Sequence, residues 1–320
     1  MAQKTNSQPF RRPFITHQHW PTEGSQVQTH WLTTRDGGRL RYTYWPLAGG
    51  KSAVILTGRG EPSDKYFEVA AQLRSRGFAV WALNWRGQGG SSRTCKRPRR
   101  GYIHTFDQYL SDFSDFLAHL EAHEPAWCSP SPLVFAHSMG GHLALRWAHD
   151  HPGRIGQLLL SAPMLGIVLP APRPLIRALA EALTVAGQGE RFLPKGTEDV
   201  GRVFEGNDLT GDRGRFERYL ALLDAQPDLI TGGATVGWLR AALASLSVTD
   251  QAGFAERITT PCLMFTAALD TLVPPADLRA FAGRMPNAVC VRLPHARHEV
   301  CQESDEVLSA VWRHVDEFLR

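Results

Sequence analysis

The stretch from Pro132 to Gly141 reads P-L-V-F-A-H-S-M-G-G and combines a short apolar run with a glycine-rich turn. The apolar run, residues 133–135, is typical of a strand that is buried on both faces of a sheet. After the turn, residues 142–149 place apolar side chains at helical spacing. The pattern therefore predicts a strand, a tight turn that carries Ser138, and a helix.

The turn around Ser138 has the steric pattern of a nucleophile elbow. Such a turn strains the backbone of the serine, so the residues two before and two after it must be small; here they are Ala136 and Gly140. The serine oxygen would lie near the positive end of the next helix, and the N–H of Met139 would point at a developing oxyanion. The usual pattern is G-x-S-x-G, whereas this chain has A-x-S-x-G, and an ordinary strand-to-helix turn is the alternative.

The composition is that of an ordinary globular protein with a small excess of positive charge. Lys and Arg number 35 against 31 Asp and Glu, for a net charge of +4. This excess does not predict nucleic-acid binding, which needs a concentrated basic face, but it is compatible with attraction to anionic lipid headgroups.

Cysteine usage and hydropathy bear on the compartment. Five scattered cysteines without a C-x-x-C pair are typical of reduced thiols in the cytosol. The N-terminus has no apolar core of signal-peptide length, and no apolar run is long enough to span a bilayer. We expect a cytoplasmic protein, and peripheral contact with the anionic surface of the inner membrane stays open.

Strand and helix signals alternate along the chain on both sides of the Ser138 turn. A hairpin is indicated by Asp36-Gly37-Gly38 between two apolar runs. The alternation predicts an α/β fold with a mostly parallel central sheet flanked by helices on both faces. The further predicted strands are 52–57, 78–83, 155–160, 261–266 and 288–293, and the predicted helices are 65–76, 106–123, 276–284 and 304–319.

The alternation stops at Pro163 and resumes at Pro261, with helix signals at 174–186, 215–224 and 238–247 between them. An apolar stretch that begins at Leu165 is either packing within this insertion or part of an acyl-chain tunnel. A basic run in the loop 93–100 is either solvated or a contact for anionic lipid. These breaks predict an N-terminal arm (1–28), a core (29–163 and 256–320) and a helical cap inserted after the sixth strand (164–255).

An acid and a histidine follow two of the predicted strands. Asp270 comes just after the strand 261–266, and His298 comes after the strand 288–293, with His295 as its local competitor. Carboxyl ends of parallel strands share one edge of a sheet, so both should lie beside Ser138. The alternatives are a turn or helix-capping aspartate and a surface histidine. The order Ser, Asp, His along the chain is that of α/β-hydrolases.

Several segments together resemble the lysophospholipase and monoacylglycerol-lipase branch of the α/β-hydrolases, which are serine aminopeptidase-like hydrolases. The resemblance covers about residues 28 to 318, and Thr57-Gly58 stands where monoacylglycerol lipases tend to have His-Gly. A stretch F-E-G-N-D-L-T (204–210), followed by R-F-E-R-Y, also looks like bacterial lysophospholipases. The other segments are G-R-G-E-P-S-D-K-Y (58–66), N-W-R-G-Q-G-G-S (84–91), A-H-S-M-G-G (136–141), A-L-D-T-L-V-P (268–274) and A-R-H-E (296–299).

The resemblance implies a set of catalytic roles. Ser138 would be the nucleophile, His298 the base and Asp270 the residue that orients it. The backbone N–H groups of Arg59 and Met139 would form the oxyanion hole. The implied reaction is hydrolysis of the carboxylic ester of a single-chain lipid, most of all a lysophospholipid. The alternatives are a monoacylglycerol lipase, a general carboxylesterase, a peptidase or thioesterase, and a non-catalytic binding protein with this fold.

We assign the loop residues Gly58, Arg59 and Glu61 to substrate binding. The guanidinium of Arg59 could bind a substrate phosphate through two hydrogen bonds, or it could pair with Glu61 and hold the loop. We expect no cofactor and no metal. His137 and His142 flank the elbow without a carboxylate or cysteine at ligand spacing, so we interpret them as packing or helix-surface residues.

Overall fold

Eight strands form a single sheet in the computed structural model, which describes residues 27–320. The predicted arm, residues 1–28, lies outside the described residues except for its last two, and Gln28 already begins the first strand. The strands are β1 (Gln28–Thr33), β2 (Arg39–Trp45), β3 (Lys51–Leu56), β4 (Phe78–Leu83), β5 (Leu133–His137), β6 (Gln157–Ser161), β7 (Cys262–Ala267) and β8 (Ala288–Leu293).

The order of the strands decides where a site can form. The sheet runs β1-β2-β4-β3-β5-β6-β7-β8; β2 is antiparallel to β1 and β4, and the other neighbours are parallel. After β3 the chain moves to β4 on one side and returns to β5 on the other. This reversal opens a crevice beyond the carboxyl ends of β3 and β5, which is where open α/β sheets bind their ligands.

Helices cover both faces of the sheet because the strand residues alternate between two apolar clusters. In β3, Val54 and Leu56 face one cluster, and Ala53 and Ile55 face the other. Helices α2, α3 and α7 pack on the first face, and α1 and α8 on the second. The helices are α1 (Phe67–Ser75), α2 (Phe106–His123), α3 (Met139–Asp150), α4 (Arg173–Leu183), α5 (Arg213–Ala225), α6 (Val236–Thr249), α7 (Pro275–Ala282) and α8 (Asp305–Phe318).

The chain between β6 and β7 carries three of these helices, α4, α5 and α6, and we refer to residues 164–255 as the inserted segment. Helix α4 packs on α6 and leaves Leu175 and Leu179 62% and 54% exposed. None of the helices within residues 27–320 is long and apolar enough to cross a membrane.

Element boundaries differ from expectation at a few ends. The helix predicted from residue 65 begins at Phe67, because the preceding residues form a short 3-10 turn, Ser63–Tyr66. The α-helical part of α4 ends at Leu183 rather than at 186, and the chain continues as a π-helical turn, Thr184–Gln188, in which Gly187 has φ of 76°. The strand predicted from residue 155 begins at Gln157.

Candidate active site

Ser138 stands between β5 and α3 in a backbone conformation that is rare for a residue with a side chain. Its φ is 49° and its ψ is −116°, a combination that costs free energy and persists only when the surroundings enforce it. The surroundings do so here. The N–H of Ser138 donates to the carbonyl of Ser161 at 3.0 Å, and its own carbonyl accepts from the N–H groups of His142 and Met164 at 3.1 and 2.9 Å.

The close approach of the backbone explains the small residues of the elbow. A Cβ added to Gly140 would lie 2.3 Å from the carbonyl oxygen of Leu56 and 2.6 Å from that of Thr57, so only glycine fits there. Ala136, where the common motif has glycine, is fully buried in β5 and pairs with Leu56 in register. The methyl group of Ala136 therefore fits the core, and the substitution leaves the turn intact.

The structure brings together Ser138, His298 and Asp270, which the sequence predicted as a set. His298 Nε2 lies 2.8 Å from Ser138 Oγ, and His298 Nδ1 lies 2.7 Å from Asp270 Oδ2. Asp270 follows β7 and His298 follows β8, so both come from the same edge of the sheet as the elbow. The competing histidine, His295, is exposed to solvent.

The environment of Asp270 favours its ionised form. Burial alone would raise the pKa of this carboxyl, but the hydrogen bond from His298 and those from the N–H groups of Leu272 and Val273 outweigh it, so the pKa lies below its ordinary value. An ionised carboxylate only accepts, so Nδ1 of His298 carries the proton. Nε2 is then the acceptor that faces the Ser138 hydroxyl.

The loop after β3 carries the other predicted site residues, and hydrogen bonds from the segment after β4 and within the loop hold it. The indole Nε1 of Trp85 donates to the carbonyl of Thr57 at 2.8 Å, and the N–H of Gly60 donates to Gln88 Oε1 at 2.5 Å. The N–H of Gly58 donates to Glu61 Oε2 at 2.9 Å. The glycine-rich segment after β4 thus acts as a support for this loop.

The N–H groups of Arg59 and Met139, predicted for the oxyanion hole, belong to two elements at this edge of the sheet. Arg59 lies in the loop after β3, and Met139 is the first residue of α3. The first N–H groups of a helix have no acceptor within the helix, and this end of a helix favours negative charge. Both residues line the cavity that contains Ser138 and His298.

A buried cluster of charged groups lies behind the loop, and sequence reasoning missed it. Lys65 Nζ donates to Glu61 Oε1 at 2.6 Å and to Glu299 Oε1 at 2.5 Å, and the hydroxyl of Tyr66 donates to Glu61 Oε2. Burial, reinforced by the charge of Glu61, raises the pKa of Glu299 to about 7 in spite of Lys65. In the sequence, the one indication of this cluster is that its residues belong to segments 58–66 and 296–299, which carry the resemblance to lysophospholipases.

The side chain of Arg59 is not paired with Glu61. Its Nη1 donates to the carbonyl of Gly232 at 3.0 Å, and its guanidinium carbon lies 5.6 Å from the ring centre of Trp238. The carboxylate of Glu61 is instead occupied by Lys65 and by the loop itself. The alternative of an Arg59–Glu61 pair is therefore wrong, and burial lowers the pKa of Arg59.

His137 and His142 are both buried, and the hydrogen bonds of their rings are made with neutral groups. His137 Nδ1 lies 2.9 Å from the carbonyl of Ser161, and His142 Nε2 lies 2.6 Å from Ser245 Oγ on α6. Burial lowers the pKa of His137 to about 4 and that of His142 to about 3. Across residues 27–320 no group of three or more His, Cys, Asp or Glu side chains could hold a metal ion.

The cavity at Ser138 is small and borders a larger groove. Its volume is about 220 Å³, whereas pockets that take drug-sized ligands measure about 300–1,000 Å³. The neighbouring groove has a volume of about 1790 Å³ and is bordered by α4 and the basic loop. The two share Ile167, Val168 and Trp238, all from the inserted segment.

Comparison with known proteins agrees with this fold. The profile of the family described as serine aminopeptidase, S33, matches residues 51–305. The chain is similar to lysophospholipase L2 of Escherichia coli strain K12, at 31% identity over 83% of this chain and 79% of that protein. It is also similar to the probable lysophospholipase L2 of Haemophilus influenzae, at 27% identity over 92% of each chain.

More distant similarities concern other lipases. A monoacylglycerol lipase of Mycolicibacterium smegmatis is 25% identical over 85% of this chain and 90% of that protein. The structure of a soluble variant of monoglyceride lipase from Saccharomyces cerevisiae, in complex with a substrate analog, superimposes with a TM-score of 0.71 at 18% identity, covering 96% of this chain and 99% of that one. The latter likeness bears on the fold alone.

The sheet, its crevice and the strained serine turn define an α/β-hydrolase. The family profile covers most of the chain, so the protein belongs to the serine aminopeptidase S33 family. It is a hydrolase of the lysophospholipase-like group of carboxylic ester hydrolases.

Proposed function

We propose that the protein is a serine hydrolase that cleaves the carboxylic ester of a single-chain lipid, and that its preferred substrate is a lysophospholipid. The observation that carries the proposal is the hydrogen-bonded row Ser138–His298–Asp270, with distances of 2.8 and 2.7 Å, at the bottom of a cavity that meets an apolar groove.

The proposed reaction is acyl transfer in two steps. His298 takes the proton of Ser138, whose oxygen attacks the ester carbonyl, while Asp270 holds the imidazole and stabilises its positive charge. The oxyanion accepts hydrogen bonds from the N–H groups of Arg59 and Met139. His298 then protonates the leaving alcohol, and water repeats the cycle to release the fatty acid and regenerate the serine.

We propose that the inserted segment is a cap over the core (29–163 and 256–320). The acyl chain of the substrate would lie in the groove that this cap borders. A cavity of about 220 Å³ accommodates the reacting ester, and a long chain needs further apolar space. The adjoining groove offers that space along Ile176, Leu179 and Leu183 of α4. The shared residues Ile167 and Val168 would then line the path from the ester to the chain.

The phosphate of the headgroup distinguishes a lysophospholipid from a monoacylglycerol. We propose that Arg59 binds it, with Gly58 and Glu61 shaping the loop, because Arg59 lines the cavity of Ser138 and a guanidinium can bind two phosphate oxygens at once. Two relatives named lysophospholipase L2 support this choice.

Lys96, Arg97 and Arg100 along the groove could attract an anionic membrane surface as a peripheral contact. A relative named monoacylglycerol lipase favours the second candidate.

A matched substrate panel tests the proposal. Purified protein is assayed on palmitoyl lysophosphatidylcholine, on the monoacylglycerol with the same chain, on a short p-nitrophenyl ester and on an aminoacyl amide, each with Ser138→Ala as the blank. We expect the highest kcat/KM on the lysophospholipid. A higher value on the monoacylglycerol would favour the second candidate, and cleavage of the amide alone would contradict ester hydrolysis.

A further inference from the structure

A turn of the inserted segment lies directly on the loop that carries His298. This turn, Asn207–Thr210, is called the Asn207 turn below. The N–H of Glu299 donates to the carbonyl of Leu209 at 2.8 Å. On the other side of the histidine, Arg297 Nη1 donates to the carbonyls at both ends of the turn, at 2.9 and 3.1 Å. The residues before and after His298 are therefore both bonded to one turn.

The same turn also reaches the loop that carries Asp270. Thr271 directly follows Asp270, and its hydroxyl donates to Asp208 Oδ1 at 2.7 Å. The loops after β7 and β8, which supply the acid and the histidine, are thus joined through the Asn207 turn as well as through the His298–Asp270 hydrogen bond.

The side chain of Asn207 organises the turn from within. Its Oδ1 accepts from the N–H groups of Leu209 and Thr210 at 2.8 and 2.9 Å, and its Nδ2 donates to the carbonyls of Phe204 and Thr210 at 2.7 and 3.1 Å. An asparagine that bonds the backbone two residues ahead fixes a turn in one conformation. Without this side chain the carbonyls that hold the histidine loop lose their fixed positions.

Two buried groups fasten the turn to the core. Glu303 is 2% exposed, and its Oε1 accepts from the N–H groups of both Gly211 and Arg297, at 3.0 and 2.8 Å. Thr210 is 1% exposed, and its hydroxyl donates to the carbonyl of Gln302 at 2.5 Å. Buried hydrogen bonds therefore hold the turn in a fixed position against the core.

We propose that the Asn207 turn positions the acid–histidine pair, with Asn207 as the positioning residue. The inference rests on the proposed roles of Ser138, His298 and Asp270. It gives the inserted segment a part in catalysis that does not depend on the substrate chain. A displacement of about 1 Å at reacting groups can cost about a hundredfold in rate, so loosening the turn should lower turnover for every ester.

The competing role of the turn is to be a wall of the substrate site, since Leu209 lines the cavity at Ser138. The two roles differ in their dependence on the substrate. A wall of the chain path affects the KM of long-chain esters, whereas a positioning element affects the kcat even of a short ester that does not extend into the groove. The rate of labelling by a small fluorophosphonate reports the reactivity of Ser138 without any acyl chain.

The test compares Asn207→Ala with Asn207→Asp and with a control, Asn287→Ala. Asn287 likewise donates to a loop carbonyl, that of Thr259, but lies before β8 at the opposite end of the sheet. Asn207→Ala should lower kcat on p-nitrophenyl acetate and the labelling rate by about 10- to 100-fold, with KM nearly unchanged. Asn207→Asp keeps the acceptor oxygen and should recover much of the loss.

Clear outcomes would overturn the inference. One is an Asn207→Ala enzyme that matches the control on the short ester; another is a loss confined to long-chain substrates. Should Asn207→Ala fail to fold, Thr271→Val, which removes only the exposed hydroxyl contact to Asp208, should still lower kcat several-fold, and an unchanged kcat would refute the proposal. If Ser138→Ala retains turnover, the proposed function itself fails, independently of the turn.

Discussion

The candidate site has two parts, the residues at the strand ends and the inserted segment, and the two are held in different ways. Ser138 is held by backbone hydrogen bonds to Ser161 at the end of β6 and to Met164 shortly after it, and Asp270 and His298 follow shortly after β7 and β8. The inserted segment is fastened largely through side chains: Arg215 bonds Glu68 and Asp305, His142 meets Ser245, and Arg240 donates to the carbonyl of His104.

This contrast predicts different consequences of mutation. Changes among the residues at the strand ends should affect all substrates alike, because the chemistry is common to them. Most changes in the inserted segment should instead alter which substrates are accepted, and the Asn207 turn is the proposed exception. The predictions below test the contrast from the largest effect to the smallest.

The largest effect is expected for the histidine after β8. His298→Ala removes the base, so kcat should fall on the order of a millionfold on short and long esters alike, as loss of a triad member does. His295→Ala, only three residues away, removes an exposed side chain and should change kcat less than threefold or so. Steady-state kinetics of both variants on two esters decide the matter, and a reversed pair of effects would disprove the assignment of the base.

Arg59 tests whether substrate selection can be separated from chemistry. If its side chain binds phosphate, Arg59→Ala should cost about 1.5–3 kcal/mol of transition-state stabilisation on the lysophospholipid and little on the monoacylglycerol. The backbone N–H proposed for the oxyanion hole survives this change. Arg202→Ala, at an exposed ion pair in the inserted segment, serves as the control. Equal losses on both substrates would make Arg59 a structural residue and remove the main support for a phosphate headgroup.

The pH dependence of the free energy of unfolding tests the contact that His142 makes with Ser245 of the inserted segment. Burial lowers its pKa to about 3 from an ordinary value of 6.5, so the unfolded chain binds the proton more tightly than the folded one between these values. Stability must therefore fall as pH falls through this window, by about 2 kcal/mol at pH 5 from this group.

The measurement is the free energy of unfolding at pH 7 and pH 5 for wild type, His142→Gln and the exposed control His123→Gln. The difference between the two pH values should shrink by about 2 kcal/mol in His142→Gln and should be unchanged in the control. A pH dependence equal to that of wild type in both variants would show that His142 does not titrate as described.

The smallest effect concerns chain length. Ile167→Trp should narrow the passage between the cavity and the groove and lower kcat/KM on a palmitoyl ester by about tenfold, while the acetate ester changes little. Val203→Trp, at a residue 67% exposed in the same segment but away from both cavities, is the control. Equal losses on short and long esters would count against the groove as an acyl site.

The strand-end half of the site could be predicted because it depends on local patterns. A buried strand, a turn of small residues and a helix placed Ser138, and acidic and basic residues after two later strands placed Asp270 and His298. Parallel strands bring such positions to one edge whatever the loops do. The alternation of strands and helices predicted a mostly parallel sheet, and the order of Ser138, Asp270 and His298 with the quoted segments predicted the α/β-hydrolase fold; the family profile and the eight-stranded sheet confirm it.

The remaining contacts could not be predicted, since they join side chains far apart in sequence. Lys65 bonds Glu299 across 234 positions, and Arg59 bonds the carbonyl of Gly232 across 173. No periodicity records such pairs. The stretch 204–210 resembles bacterial lysophospholipases, yet nothing in its sequence indicates its contact with the histidine loop. The Arg59–Glu61 pair, one of the two alternatives for Arg59, is wrong because Lys65, four residues after Glu61, binds the same carboxylate.

Covalent labelling of the serine tests the central claim most directly. Wild-type protein, Ser138→Ala and His298→Ala are incubated with a fluorophosphonate, digested and analysed by mass spectrometry. Activated Ser138 should carry one phosphonyl group in the wild type, with rapid labelling that heat denaturation abolishes, and both variants should stay unlabelled on the same timescale. Labelling at another residue, or undiminished labelling of Ser138→Ala, would contradict the account of this site.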